Sequence, residues 1–389
     1  MEGKMANEKK QMHLVAVDVG FGGLKYMSNS KPEPQVIPSG VVTGVPASRP
    51  LLSSSDININ ELVVKTEEGT YFVGENALGM PVEENVSVRT EKRNRAHDVK
   101  SRVLFHTGIG LSLPDIDGKY EVTIVTGLPN SDYDKSIHDD LRAFLEKDFT
   151  VEFYLDRENS IKKEVKVAKV IILRQPEGTV TYNQFRFDPE SFIVPSNSRA
   201  DYLGVIDFGH VSTDYALFRN GVVIEDPTKN KSTIGVTEVY KRLRQAVELK
   251  FSDMGYMFHP SDQDLDYAIQ TNHIRYRNQD FDISDEIEMV VRDRARPITD
   301  SITTAWGNEA NRLQLIIATG GGAHVYAQEV RRNFESENIQ GFIIMENSRF
   351  TNLLGFYMYG ALELSDTYGT EKVMELYVNP VKELHEHVA

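Results

Sequence analysis

The 389-residue chain contains no cysteine. That excludes disulfides and thiolate metal sites, and it fits a reducing compartment. No apolar run approaches the ~20 residues that a membrane-spanning helix needs. The first eleven residues, MEGKMANEKKQ, lack the apolar centre of a signal peptide. Positive charge is also scarce: 43 Lys and Arg against 58 Asp and Glu give a formal net charge of −15. This argues against tight direct binding to nucleic acid, which needs clustered cations, while leaving DNA binding through an adaptor open. The length allows two domains with their own cores, and an acidic, soluble, intracellular protein is expected.

What the sequence does have is a repeat. Leu14-Val15-Ala16-Val17-Asp18-Val19-Gly20-Phe21 aligns with Leu203-Gly204-Val205-Ile206-Asp207-Phe208-Gly209-His210. Each copy is an apolar run ending in Asp, with a glycine two residues later. In the first, Phe21-Gly22-Gly23 form the turn and Leu24 to Met27 return. In the second, Ser212, Thr213 and Asp214 open the returning strand. A tight turn offers backbone N–H groups to phosphate oxygens, and glycine lets the backbone come close. An Asp at each strand end can hold Mg²⁺ through waters, because Mg²⁺ keeps much of its hydration shell. Two such hairpins facing each other would clamp a nucleotide's phosphates from opposite sides. A single Asp-x-Gly occurs in many turns; two copies about half a chain apart, each after a buried strand, carry the argument. Lys25 is placed to reach a β- or γ-phosphate, the alternative being an edge-strand lysine in solvent.

The remaining segments are arranged around this repeat. Ser28 to Asn60 reads as loops between short strands, and Leu62–Lys65 with Thr70–Val73 as a hairpin. Val73 to Leu78 turns into a short helix. The stretch Arg89 to Arg102 carries Arg89, Lys92, Arg93, Arg95, Lys100 and Arg102. It is either an anion-binding or subunit-contact patch or, as such runs usually are, a solvated helix face. Tyr120–Val125 is a strand whose exit, Thr126-Gly127-Leu128-Pro129, turns sharply. Lys135–Phe149 has helical period, and Val151–Leu155 and Glu164–Leu173 are strands. The second strand leads into a turn, Arg174 to Gly178, where the Glu177 carboxylate can orient an attacking water; an isolated turn Glu is more often merely exposed. Gln184–Ser198 reads as a mobile polar insertion.

Beyond the second hairpin, Asn220-Gly221 marks a further turn, and Gly235–Val247 a helix with Thr237 as N-cap. On that helix Glu238, Lys241 and Arg242 lie a turn apart, facing a ribose or solvent. Ser261–Thr271 and Ile283–Trp306 are helices, the latter interrupted at Pro297. Leu313–Ala318 is a buried strand running into Thr319-Gly320-Gly321-Gly322-Ala323. Three successive glycines are costly in ordinary structure and point to backbone passing close to a ligand. Ile343–Glu346 is a strand, Phe350–Glu363 a helix, and Asp366–Ala389 a charged tail that adds a surface helix.

Two phosphate hairpins, a glycine-rich strand exit and a closing helix, in this order, resemble the actin/Hsp70/sugar-kinase superfamily over nearly the whole chain. Asp18–Lys25 resembles its first phosphate motif, Asp207–Asp214 the second, and Ile316–Ala323 the adenosine motif. Thr126–Pro129 and Asn352–Ala361 fall where its connecting segments belong. Val125–Pro129 (V-T-G-L-P), Val73–Leu78 (V-G-E-x-A-L) and Pro176–Gly178 (P-E-G) resemble the plasmid-segregation actins of the ParM and Alp type. There the Glu of the P-E-S/G turn helps activate water, which implies that role for Glu177. Two residues depart from the pattern: Phe21, where many relatives carry Ser or Thr, and His210, where Gly is common.

The resemblance implies an α/β, actin-like (ribonuclease H-like) fold: two domains, each with a mixed βββαβα core, and the nucleotide in the cleft between them. Residues 1–12 are expected as a disordered tail, 13–200 as domain I with a small inserted subdomain at about 30–115, and 201–345 as domain II. Residues 346–389 return to domain I as a helix plus tail. The implied nucleotide contacts are Asp18, Gly20, Phe21, Gly22, Gly23 and Lys25 from the first hairpin. Gly209, His210, Val211, Ser212, Thr213 and Asp214 follow from the second, and Gly235, Glu238, Lys241, Arg242, Gly320, Gly321, Gly322 and Ala323 from the nucleoside side. Asp18 and Asp207 would hold hydrated Mg²⁺. Glu177 and Asp207 would be the catalytic residues for direct attack of water on the γ-phosphorus.

The implied function is a cytoplasmic ATPase, with GTP as the other candidate nucleotide, that polymerises into filaments and moves plasmid DNA through a DNA-bound adaptor of the ParR type. A phage or chromosomal actin-like cytoskeletal protein would share every one of these sites. A small-molecule kinase shares the hairpins but needs a substrate pocket with a catalytic Asp, and no kinase-type substrate motif is present.

Overall fold

The computed structural model describes residues 12–46, 56–81, 89, 92–197, 199–225, 231–381 and 384. The chain divides into two compact units: Met1–Leu128, Asp132–Ser198 and Asn352–Ala389 form unit 1, and Pro129–Ser131 with Arg199–Thr351 form unit 2. The tail expected over residues 1–12 lies, apart from Met12, outside the described residues.

Unit 1 is built on β1 (Met12–Val19), β2 (Gly23–Ser28), β3 (Gln35–Pro38), β4 (Val41–Thr43), β5 (Val63–Thr66), β6 (Gly69–Val73), β7 (Gly118–Leu128), β8 (Phe149–Tyr154) and β9 (Ser160–Arg174). They form one nine-stranded sheet in the order β3-β2-β1-β7-β9-β8-β5-β6-β4. β7 runs parallel to both β1 and β9. Leu14 to Val17 are wholly buried, as parallel strands covered on both faces require. Strands β3 to β6, in the stretch read as an inserted subdomain, belong to this same sheet: β3 pairs with β2 at one edge, and β4 to β6 join at the other through the pairing of β5 with β8.

The helices of unit 1 are α1 (Glu75–Leu78), α2 (Val99–Leu111), α3 (Lys135–Leu145) and α4 (Gln175–Gln184), and a C-terminal helix over Thr351–Tyr368 closes it. Asp98 caps α2 and Asp134 caps α3, each accepting from the backbone N–H three residues on. The stretch Arg174–Gly178, expected as a turn, is instead the start of α4. Pro176 sits in its first turn, where the missing N–H costs nothing, and Gly178 is admitted because the C-terminal helix packs against it backbone to backbone at Gly355. Gly127 likewise makes room for the Phe356 ring, and the strand runs on through Thr126–Leu128 rather than stopping at Val125.

Of three other expectations in unit 1, one holds and two change. Gln184–Ser198 contains a paired hairpin, β10 (Phe185–Asp188) and β11 (Phe192–Pro195), with the Phe187 and Phe192 rings 5.3 Å apart. The tail does add a helix, over Thr370–Val373 and Met374–Val378, with Thr370, Glu371, Lys372 and Glu375 exposed. Val373, Tyr377, Val381 and Leu384 recur at helical spacing and are buried, with Tyr377 donating to the Met12 carbonyl at 3.1 Å. The Arg89–Arg102 stretch is a solvated face only in part, with Lys92 and Arg93 exposed. Arg95 is only 2 % exposed and Val103 to Leu111 are buried, while Arg102 pairs with Glu68 at 2.7 Å.

Unit 2 carries β12 (Tyr202–Phe208), β13 (Thr213–Arg219), β14 (Val222–Val223), β15 (Lys231–Ser232), β16 (His273–Tyr276), β17 (Gln279–Asp282), β18 (Leu315–Thr319) and β19 (Phe342–Ile344). Its main sheet runs β14-β13-β12-β18-β19, with β15 added on β13. β12 and β13 are antiparallel, and β18 is parallel to β12 and to β19. The core therefore repeats that of unit 1: antiparallel strands followed by two parallel ones. Helices α5 (Val236–Asp253), α6 (Asp262–Thr271), α7 (Ser284–Trp306) and α8 (Ala323–Ser336) complete the unit. α7 runs unbroken through Pro297. The lost hydrogen bond costs roughly 3 kcal/mol, and burial of Val290, Ala295, Ile298, Ile302 and Trp306 offsets it. Thr237 is not the cap of α5; Gly235 is. Among the described residues no helix is long and apolar enough to cross a membrane.

Candidate functional site

The two repeats of the sequence fold into hairpins of one geometry. In β1–β2, Asp18 pairs with Lys25 and Val19 with Leu24, leaving a loop of Gly20 to Gly23. In β12–β13, Asp207 pairs with Asp214 and Phe208 with Thr213, leaving Gly209 to Ser212. Each loop is closed by the same backbone bond: Gly20 N donates to Gly23 O at 3.0 Å, and Gly209 N to Ser212 O at 2.9 Å.

Around the first hairpin unit 1 gathers cations. Asp18 is 1 % exposed; its Oδ2 accepts from Lys25 Nζ at 2.7 Å and its Oδ1 from Gln175 Nε2 at 2.8 Å. Burial pushes the Asp18 carboxyl up. The charge and hydrogen bond of Lys25, the charge of Arg95 and the bond from Gln175 outweigh burial and hold the carboxyl below its usual range. Arg95 also lies over the Phe21 ring, 5.4 Å from its centroid. The loop carbonyls are held by side chains: Ser39 Oγ donates to Gly20 O at 2.6 Å and Arg89 Nη1 to Gly22 O at 2.7 Å. A loop whose carbonyls are engaged in this way offers an anion its amide hydrogens.

In unit 2 a helix start does the same work. The first amides of α5 reach the loop, Val236 N to Gly209 O at 3.3 Å and Thr237 N to His210 O at 3.0 Å. Gly235 lies so close to Val211 and Ser212 that any side chain there would overlap their backbone. The tri-glycine loop packs on the other side. Gly322 N donates to Phe208 O at 2.7 Å. Gly320 has φ +92°, and a Cβ on it would overlap Asp207 Oδ1 and Phe208. A Cβ on Gly321 would meet open space. Ala323 is the first residue of α8, whose Tyr326 hydroxyl donates to Gly235 O at 2.8 Å. Unit 2 thus brings together Asp207, the hairpin loop, Gly235 and Gly320 to Ala323. Thr213 is buried and donates to Ile234 O, Ser212 Oγ donates to Asp214 Oδ2 at 3.0 Å, and Val211 is exposed. The His210 ring stands edge-on to Tyr240 at 6.3 Å. Glu238 lies half-buried in the first turn of α5, while Lys241 and Arg242 point to solvent.

Glu177 occupies the third position of α4, and its Oε2 accepts from Arg174 N at 2.8 Å. The sequence reading passed over Gln175, which stands two residues before it, and Arg89 and Arg95, which it left within a charge run. For Mg²⁺ the residues fit in one hairpin better than in the other. Asp18 is already engaged by an ammonium and an amide, whereas Asp207 and Asp214 are two carboxylates directly across a strand pair, a hard oxygen set suited to a hydrated ion. Among the described residues no group of three or more His, Asp or Glu is placed to hold a metal.

Comparison with known proteins agrees with this fold. The family model described as actin like proteins N terminal domain matches residues 16–178, and that of the archaeal actin homologue MreB-like C-terminal domain matches residues 205–332. No curated protein matches the sequence. Among solved structures, an archaeal actin homolog, also solved in complex with ADP, aligns with a TM-score of 0.70 and 18% identity over 90% of this chain and 100% of its own. A 15-stranded ParM filament from Clostridium botulinum aligns with a TM-score of 0.68 and 20% identity over 90% and 99%. A non-polymerisable quadruple mutant of pCBH ParM gives 0.66 and 20% over 90% and 100%. At such identities the likeness is one of fold. Residues 16–178 thus match an actin-like N-terminal domain and residues 205–332 an MreB-like C-terminal one, and the chain has the actin-like fold along nine-tenths of its length.

Proposed function

We propose that this protein is a nucleotide-dependent, filament-forming ATPase that separates plasmid DNA through a DNA-bound adaptor of the ParR type. The observation that carries the reading is the pair of Asp-x-Gly hairpins closed by the same bond, the second backed by the start of α5 and the tri-glycine loop. In this reading Lys25 and the amides of both loops neutralise the phosphates of ATP or GTP, and Gly235, Gly320 to Gly322 and Ala323 flank the nucleoside. Asp207, with Asp214 across from it, holds hydrated Mg²⁺, and Asp18 keeps Lys25 in place. When bound, Mg²⁺ supplies charge neutralisation for the transferred phosphoryl group. Glu177 orients the attacking water.

The solved ParM filament supports self-assembly as the output, and the −15 charge supports an adaptor over direct DNA contact. Phosphate release and light scattering, recorded together with Mg²⁺ and ATP or GTP, test it on the wild type and Glu177→Gln, which keeps an oxygen to cap α4. Scattering that rises with nucleotide and then decays, but persists in the variant, is expected. Hydrolysis with no scattering at any protein concentration would point instead to a kinase or a monomeric ATPase.

A further inference from the structure

Both oxygens of Asp18 are taken, and the two partners differ in origin. Lys25 is its register partner within the hairpin. Gln175 comes from 157 residues away and opens α4. Two positions further along the same turn is Glu177, whose carboxylate accepts from the Arg174 N–H.

This turn has little room to move. Pro176 fixes one φ, and Gly178 is in backbone contact with the C-terminal helix at Asn352 and Gly355. Thr179 Oγ1 donates to Asn352 Oδ1 at 2.6 Å. A stiff turn that touches the hairpin through one side chain and carries a carboxylate on another passes position from the first to the second.

We propose that Gln175 is a positioning residue: through its bond to Asp18 it sets the Glu177 carboxylate relative to the first phosphate hairpin. The inference rests on the reading of Glu177 given above. Gln175 is neutral and moves no proton. It acts by geometry, and a misplacement of about 1 Å at a reacting centre costs on the order of 100-fold in rate. The competing account is purely structural, an amide that satisfies a buried carboxylate.

The test is steady-state phosphate release by wild type, Gln175→Leu, Glu177→Gln and the double variant. Gln175→Leu is expected to lower kcat by about 10- to 100-fold with nucleotide KM changed by less than about 3-fold. In the Glu177→Gln background the same change is expected to alter the residual rate by less than about 2-fold, because the two act as one unit. A structural amide would instead lower thermal stability and give equal fold losses in both backgrounds. Should Gln175→Leu fail to fold, Gln175→Asn, one methylene shorter with the amide kept, carries the same expectations. Wild-type kcat in a folded Gln175 variant, or equal losses in both backgrounds, overturns the inference alone. A wild type that releases no phosphate from ATP or GTP overturns the reading of the site itself.

Discussion

In the first hairpin Asp18 faces Lys25; at the same place in the second, Asp207 faces Asp214. The backbones match down to the bond that closes each loop, yet the electrostatics are opposite. Asp18 is sealed in with a cation and an amide, and the loop carbonyls above it are held by Ser39 and Arg89. Asp207 is half-buried beside a like charge, and its loop carbonyls are held by the first amides of α5, the positive end of an 18-residue helix. One loop geometry therefore serves two purposes. In the function proposed above, the first aspartate positions a lysine for an anion and the second stands on the side of the cation.

Swapping carboxylate for amide at the two positions tests that division most strongly. Asp18→Asn leaves Lys25 and the nearby Arg95 without their buried counter-charge, and such a break costs about 3–5 kcal/mol, read as a lower midpoint in denaturant unfolding. Asp207→Asn, at a half-buried position that faces a carboxylate and not a lysine across the strand, is expected to change stability by no more than about 1 kcal/mol. Its phosphate release at limiting Mg²⁺ is expected to fall by about 100-fold. Equal stability losses at the two positions would break the comparison.

Acid unfolding sharpens the same contrast once a masking group is removed. His106 is stacked between Phe144 and Phe149, and burial, aided by the Arg102 charge, pushes its pKa down to about 3. The unfolded chain binds that proton more readily, so stability falls as pH drops below the ordinary histidine value. The loss reaches about 3 kcal/mol by pH 4, and His106→Phe is expected to abolish it. The Asp18 contribution has its own window. Its carboxyl is held low by Lys25, Arg95 and Gln175 against the upward push of burial. The contribution is therefore complete above the unfolded carboxylate value of about 4 and lost only as pH falls through the lower folded one. In the His106→Phe background this residual acid sensitivity should appear, and Asp18→Asn should remove it.

Local signals explain which parts of the site were legible in the sequence. An apolar run, Asp-x-Gly and a returning strand lie within about a dozen residues, so both hairpins and the tri-glycine exit could be read directly. The partners of Asp18 could not, because Gln175 and Arg95 meet it only through the fold of the sheet. Arg95 sat in a charge run, and such runs are usually solvated; here it is buried and lies over the ring of Phe21, 74 positions earlier. Pro176 and Gly178 resembled a turn because the tertiary reason for the glycine, the approach of Gly355, comes from the far end of the chain. Pro297 failed to end α7 for a related reason: the buried stripe on both sides of it outweighs its local preference.

The smallest expected effect bears most directly on whether Asp207 and Asp214 repel. Two like charges directly across a strand pair destabilise it by roughly 0.2–1 kcal/mol, and both side chains here are half-buried. Asp214→Asn removes one charge and keeps an oxygen to accept from Ser212 Oγ, which donates to Asp214 at 3.0 Å. Without Mg²⁺ the variant should therefore be more stable than wild type by up to about 1 kcal/mol at low salt. The gain should shrink as ionic strength rises, because partly exposed charges are screened. With Mg²⁺ added the sign should reverse, since only the wild-type pair gains from the ion. A variant less stable than wild type at every salt concentration would mean that Asp214 holds the hairpin together rather than straining it. The second hairpin would then be a neutralised site like the first, and the cation would have to be held elsewhere.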